Sequence, residues 1–159
     1  MPMTITILCP SPLLKDDDIP SIAHGYIKKI SDKIEIPDIK VKISNNDTAE
    51  LVKKKQADAL LPHIQKNTTA YVIAMDERGK NLTSPQLAQK IQTIQNEGLS
   101  NFIFMIGGAY GLHPDILKHA DMSLSFGSMV WPHRLVGVML LEQLYRAQQI
   151  NAGHPYHKD

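Results

Sequence analysis

Phe102-Ile-Phe-Met-Ile-Gly-Gly-Ala-Tyr-Gly-Leu112, together with the chain from there to His154-Pro-Tyr-His-Lys158, is the stretch whose reading decides the fold. An apolar run of strand length (Asn101 to Ile106) enters a glycine loop (Gly107 to Gly111), and a short helix (His113 to Ala120) leads to a second strand (Met122 to Phe126). An irregular loop (Gly127 to Pro132) then opens a long helix (His133 to Ile150). Two strands thus end in loops that can face one pocket.

Upstream, Thr69-Ala-Tyr-Val-Ile-Ala-Met75 is a second nearly continuous apolar run, which predicts burial on both faces as in a parallel sheet. Met3-Thr-Ile-Thr-Ile-Leu8 alternates apolar and polar residues, is rich in β-branched types and reads as a strand. Pro10 to Asp18 is turn-like and acidic, and Ile19-Pro20 opens a helix to about Lys33. Ile39-Lys-Val-Lys-Ile43 alternates again, as a strand would. Thr48 to Gln65 carries Leu51, Val52, Leu60, Leu61 and Ile64 among lysines, the pattern of a surface helix. Thr83 or Ser84, with Pro85 just inside, caps a helix that ends at Gly98. Strand and helix alternate throughout, so the fold class is α/β, a mostly parallel sheet with helices on both faces. At 159 residues the chain fits a single domain, 1–159, with a real core.

Composition narrows the function. No apolar run approaches the ~20 residues that span a bilayer, and the N-terminus lacks a basic leader and a cleavage site, so the expectation is a cytoplasmic protein without a membrane role. The single cysteine, Cys9, forms no internal disulfide and reads as a buried small hydrophobe. Seventeen Lys plus Arg against 16 Asp plus Glu leave a net charge of +1, so a generic basic coat for nucleic acid is absent. An RNA substrate then has to be met by a local patch, by several subunits, or as a folded RNA held by other proteins.

The chemistry-bearing residues gather in the last third. Gly107, Gly108 and Gly111 follow a strand and precede a helix, where a missing Cβ lets a ligand approach the backbone. Their spacing is not the dinucleotide fingerprint, and the acidic residue that fingerprint requires is missing. His133 opens the long helix, Arg146 sits late on it, and Tyr156, His157 and Lys158 lie in a tail that Pro155 can turn back over a pocket. The bland reading of such a tail is a solvated end. Met75 alone reads as core, and Asp76-Glu77-Arg78 as a charged turn after a buried strand. His24, His63, His113 and His119 have no metal-ligand spacing, so no metal is expected. The long helix is apolar on more than one stripe, through Leu135, Val136, Val138, Met139, Leu140, Leu141, Leu144, Tyr145 and Ile150, which predicts a second surface covering it, most simply that of a homodimer.

Asp76-Glu-Arg-Gly-Lys80, Ile106-Gly-Gly-Ala-Tyr-Gly-Leu112, Leu124-Ser125, Pro132-His133, Leu141-Glu-Gln-Leu-Tyr-Arg-Ala147 and Gly153-His-Pro-Tyr-His-Lys158, in this order and after Ile5-Thr-Ile-Leu8, resemble the methyltransferase H family of the SPOUT superfamily. Members of that family methylate N3 of a pseudouridine in bacterial 23S ribosomal RNA. The resemblance spans nearly the whole length. It implies a C-terminal trefoil knot, S-adenosyl-L-methionine as methyl donor, and a substrate presented in the large subunit or assembled ribosome. It further implies donor contacts at Met75, Gly107, Gly108, Phe126, Gly127, Ser128, Met129, Val130 and Trp131. His133, Arg146, Tyr156 and His157 become the candidates for positioning the target base and managing its proton.

Two departures stand out. Gly137 occupies the helix position where relatives usually carry Arg, and Pro10-Ser-Pro12 replaces a glycine-bearing loop. The competing readings are a non-catalytic RNA or ribosome-binding factor on the same fold, and a nucleotide-binding α/β enzyme of another class. The second lacks a phosphate-loop lysine.

Overall fold

The computed structural model describes residues 2–14 and 19–158. Strands β1 (Thr4–Leu8), β2 (Lys33–Glu35), β3 (Tyr71–Asn81), β4 (Asn101–Ile106) and β5 (Met122–Ser125) form one sheet in the order β2-β1-β4-β3-β5. Every pairing is parallel. Helices α1 (Ile19–Lys29), α2 (Ala49–Gln65), α3 (Ser84–Asn96), α4 (Pro114–Leu117) and α5 (His133–Asn151) connect and cover it.

Alternate side chains on the strands feed two cores, as the period of two requires. Ile5, Ile7, Ile73, Phe102, Phe104 and Leu124 meet α1, α3 and α5 on one face. Val72, Ala74, Ile103 and Met105 meet α2 and α4 on the other. That double burial is why β3 and β4 read as unbroken apolar runs. Cys9 is 3% exposed and packs in the first core, the role its sequence context predicts. No helix among the described residues is long and apolar enough to cross a membrane.

Local chemistry sets the helix ends. The Thr83 hydroxyl accepts from the Gln86 backbone N–H and the Gln86 side chain accepts from that of Thr83, a reciprocal cap with Pro85 inside it. Thr48 caps α2 through one bond, its hydroxyl accepting the Leu51 backbone N–H. Helix α1 ends at Lys29, four residues before the expected end, because Asp32 accepts the Met3 backbone N–H at 2.9 Å and Lys33 has already paired with Met3 as β2. The expected strand at Ile39 to Ile43 is extended chain without a sheet partner: Ile39 is buried in the second core and Val41 packs beside it, so the alternation records one-sided burial. Of the acidic turn, Lys15 to Asp18 lie outside the described residues.

Strand β3 outruns its apolar part. After Met75 it continues through the charged residues to Asn81, and Leu124 of β5 is paired by Met75 before an irregularity and by Lys80 after it. A Cβ on Gly79 would lie 2.7 Å from the Ser123 carbonyl carbon, so only glycine passes there.

Gly137 also has a structural reason. A Cβ there would lie 2.8 Å from Leu13 Cδ2, and Arg134 Nη2 reaches the Leu13 carbonyl at 3.5 Å. The two departures from the family pattern therefore touch: the Pro10-Ser-Pro12 loop seats Leu13 in the notch that Gly137 leaves in α5. We expect Gly137→Ala alone to bring no gain in stability, because Leu13 has to move. In a Leu13→Ala background the same change should stabilise the protein by about 0.5–1 kcal/mol, the helix-propensity difference. Urea denaturation of the four proteins of this cycle checks the coupling.

The stripes of α5 are largely occupied within the chain. Leu140, Leu141, Leu144 and Ala147 are buried, and Val136, Val138, Tyr145 and Ile150 pack at the margins of the first core. The apolar excess that suggested a partner is thus mostly taken up by α1, α3 and the sheet, with Leu135 left 40% exposed.

Candidate functional site

Strands β3, β4 and β5 end side by side, and the chain leaves β4 and β5 in tight loops. In the first loop Gly111, at φ +82°, donates its N–H to the Gly108 carbonyl at 3.0 Å. A Cβ on Gly107 would lie 2.6 Å from the Gly111 carbonyl carbon, and one on Gly108 would lie 2.7 Å from Gln56 Nε2 of α2. These glycines therefore let the loop close on itself and seat against α2. The missing Cβ atoms thus serve the loop's own closure, beside the approach to its backbone that the sequence leads one to expect. Downstream, His113 Nδ1 accepts from the Asp115 N–H at 3.0 Å while Nε2 meets Glu50 at 3.0 Å, anchoring the loop's end to α2.

The second loop turns on Ser125, whose hydroxyl is buried. It accepts from the Gly127 N–H at 3.0 Å and lies 2.8 Å from the Gly127 carbonyl and 3.2 Å from that of Glu77. Gly127, at φ +116°, then reverses the chain. Met129 and Val130 are 73% and 78% exposed. Across the gap, the Asp76 carboxylate accepts from the Arg78 backbone N–H at 2.9 Å and from its guanidinium at 3.3 Å, and that ion pair raises the Arg78 pKa.

Between these loops lies a cavity of about 520 Å³, within the range of small-molecule sites. Its position beyond the carboxyl ends of parallel strands is the usual ligand crevice of such sheets. Met75, Gly107, Gly108, Phe126, Gly127, Met129, Val130 and Trp131 line it, with Ile106, Leu124 and Val136 adding apolar wall and Asp76, Glu77 and Arg78 a charged rim. Ser128 lies between two lining residues without lining the cavity itself.

The four residues proposed for base positioning and proton handling divide. His133 lines the cavity, and its Nε2 lies 2.6 Å from Ser11 Oγ. Burial first, and Arg134 second, lower its pKa below the ordinary histidine value, which favours the neutral ring. Arg146, Tyr156 and His157 lie outside the cavity; Arg146 stands about 20 Å from His133 along α5 by helix rise, and the other two follow the helix. There Glu142 Oε1 accepts from Arg146 Nη2 at 2.6 Å, from Arg146 Nε at 3.0 Å and from the Tyr156 hydroxyl at 3.1 Å. Glu142 raises the Arg146 pKa, and burial followed by the Glu142 contact raises that of Tyr156. Arg146 Nη1 donates to His157 Nδ1 at 3.1 Å, and the guanidinium lies 4.9 Å from the Tyr156 ring centre. Tyr145 meets Tyr156 edge-on at 4.7 Å. The tail is therefore folded onto the end of α5.

Ser11, Glu142 and Gln56 are the contributors that sequence reasoning missed. Glu142 and Arg146 stand four apart on a helix, a spacing that signals an ion pair. Ser11 and Gln56 give no local signal, since each acts across a large sequence separation. Among the described residues no group of three or more His, Cys, Asp or Glu side chains is placed to hold a metal ion.

A family model described as "Predicted SPOUT methyltransferase" matches residues 3–157. The chain is 40% identical over 162 residues to ribosomal RNA large subunit methyltransferase H of Clostridium novyi (strain NT), covering 98% of this chain and all of that protein. It is 41% identical, with the same coverage, to the protein of that name from Alkaliphilus oremlandii (strain OhILAs). Among solved structures, a probable methyltransferase from Bordetella pertussis Tohama I superposes with a TM-score of 0.55 at 13% identity, covering 92% of this chain and 96% of that one, which speaks to the fold alone.

Proposed function

This chain belongs to the ribosomal RNA large subunit methyltransferase H family of SPOUT methyltransferases, and on that premise we propose that it methylates N3 of a pseudouridine in 23S ribosomal RNA. The donor in this reading is S-adenosylmethionine, which supplies an activated methyl group that needs alignment more than activation. The observation that carries the reading is the cavity at the ends of β3, β4 and β5. Its apolar walls of Met75, Ile106, Leu124, Phe126 and Val136 suit an adenine and a methylene chain, its two glycine-bearing loops present backbone groups, and the carboxylates of Asp76 and Glu77 suit a cationic donor. The trefoil knot of the family belongs to the same proposal.

His133 is the group that takes the N3 proton. It lines the cavity and favours its neutral form, as a general base must. Arg146, Tyr156 and His157 offer the cation and the aromatic faces that would hold the nucleotide, yet they lie far from His133 in one chain. The site is completed if a second copy brings its tail to the first copy's cavity, so the protein acts as a homodimer. Ile22 of α1, Val138 and Met139 of α5, and Phe126 of the second loop line a groove beside the exposed Met129 and Val130, which leaves an apolar surface for that copy. Sedimentation should give about twice 17.8 kDa; a monomer at all concentrations would remove the composite site.

A net charge of +1 leaves no generic basic coat to hold naked RNA, and the reading takes as substrate an RNA folded and presented in the large subunit or assembled ribosome, in the cytoplasm. Two measurements test the function together. Calorimetry should show S-adenosylmethionine binding, and mass spectrometry of 23S nucleosides from cells lacking the protein should show one methylated pseudouridine lost. A chain that binds ribosomes but no donor would instead be a non-catalytic factor.

A further inference from the structure

Residues 9–14, which follow β1, do not line the cavity, yet they are fastened to the first turns of α5 at three points. Leu13 fills the notch at Gly137, its carbonyl meets Arg134, and Ser11 Oγ lies 2.6 Å from His133 Nε2. Two prolines flank Ser11: Pro10 has a fixed φ, and Pro12 biases Ser11 itself to an extended backbone. The hydroxyl is thereby held on a short leash, with Cys9 Sγ 3.8 Å away on its other side.

The contact bears on how the ring is oriented. Ser11, which does not line the cavity, engages Nε2, and that leaves Nδ1 as the ring nitrogen available to a reacting group in the cavity that His133 lines. A neutral imidazole carries one N–H and one lone pair, and the partner of one nitrogen decides which is which. For Nδ1 to accept a proton, Nε2 has to carry the hydrogen and find an acceptor. Ser11 Oγ is placed to be that acceptor, while its own hydrogen can turn towards Cys9.

We propose that Ser11 is a positioning residue for the methyl transfer: it accepts the Nε2–H of His133 and so presents Nδ1 as the lone pair that receives the imide proton of the target base. This rests on His133 as the proton acceptor. When the proton arrives, the N3–H bond breaks and its electron pair remains on N3 for the new bond to the methyl carbon; the carbon–sulfur bond of the donor would break in exchange, its pair going to sulfur so that a neutral thioether leaves, and the ring becomes an imidazolium with both N–H groups donating. Ser11 still accepts from Nε2–H in that state, so it stabilises the charged ring as well. The charged and titratable groups around His133 are Arg134 on its own helix, Asp76, Glu77, Arg78 and Tyr110 lining the same cavity, and the Cys9 thiol beside Ser11.

The experiment uses the full chain and large ribosomal subunits from cells lacking the protein, with methylation rates followed across pH for the wild type, Ser11→Ala, Ser11→Thr and His133→Gln. Ser11→Ala should lower kcat about 10- to 100-fold, part of what a positioned general base contributes, with KM for subunits and donor affinity within about twofold of wild type. Its acid limb should move to lower pH, because the imidazolium has lost an acceptor. Ser11→Thr, which keeps the hydroxyl, should restore kcat and the limb. Independently of activity, nitrogen NMR of the ring should show the hydrogen on Nε2 in the wild type. Wild-type kcat in Ser11→Ala, a limb moved to higher pH, or a hydrogen found on Nδ1 would each overturn the role of Ser11 while leaving that of His133 in place. Full activity in His133→Gln would overturn both.

Discussion

Truncating the chain after Gly153 should cut methylation about a hundredfold or more, while S-adenosylmethionine binding and dimerisation stay close to wild type. Misplacing a substrate-holding group is enough for a loss of that size. The reason for separating the two activities lies in the placement of the tail. Tyr156 and His157 contact Glu142, Tyr145 and Arg146 at the far end of α5, and none of them lines the cavity. Removing the tail therefore strips the aromatic faces of Tyr156 and His157 that are offered to the nucleotide, and leaves Arg146 and both cavity loops in place. Methylation at the normal rate would make the tail a solvated end. Loss of donor affinity in step with activity would make it a lid on the donor.

Gly107→Val should be the most damaging single change at the cavity, and by a route that the sequence does not suggest. The added atoms collide with the Gly111 and Leu112 backbone, at 2.6 to 2.9 Å for the Cβ alone, so the loop cannot close. We expect about 1–3 kcal/mol of lost stability, the range for overpacking in a site that cannot yield, together with loss of donor binding. Gly111→Ala is the informative comparison. Its Cβ meets nothing within 4 Å, but its φ of +82° costs an L-residue about 1–2 kcal/mol. The alanine should thus be destabilised while retaining measurable donor affinity. Thermal denaturation and calorimetry on both variants separate closure of the loop from space for the ligand; Gly107→Val with wild-type stability and affinity would overturn this account of the loop.

Legibility in the sequence tracks burial. β3, β4 and β5 carry side chains into one or both cores, so their composition announced them, and Thr83 and Pro85 marked α3 by local chemistry alone. β2 is three residues with a charge at either end, too short and too polar to signal, and Ile39 to Ile43 mimicked a strand because alternation reports a buried side rather than a hydrogen-bonded neighbour. At the site, residues in one loop or one strand end were readable as a group. Ser11 was not, since its partner lies 122 residues away and neither residue marks the other locally. Gly137 gives no local sign of its role either, because the side chain in the notch it leaves is that of Leu13, far away in sequence.

The double pairing of Leu124 bears on how the protein behaves in a concentrated cell. A strand residue has two hydrogen-bonding edges, so when Met75 takes one, the later partner Lys80 covers the other. β5, nominally the last strand of the sheet, is thereby partly closed off by a return of β3 and offers little template to a passing chain. The opposite margin is β2, three residues long with Lys33 and Glu35 paired at 2.8 Å. Short, charged margins resist the edge-to-edge docking that starts aggregation. The wrap at Gly79 thus serves colloidal solubility as well as the cavity, and substitutions that loosen it should reveal themselves first as a tendency to clump.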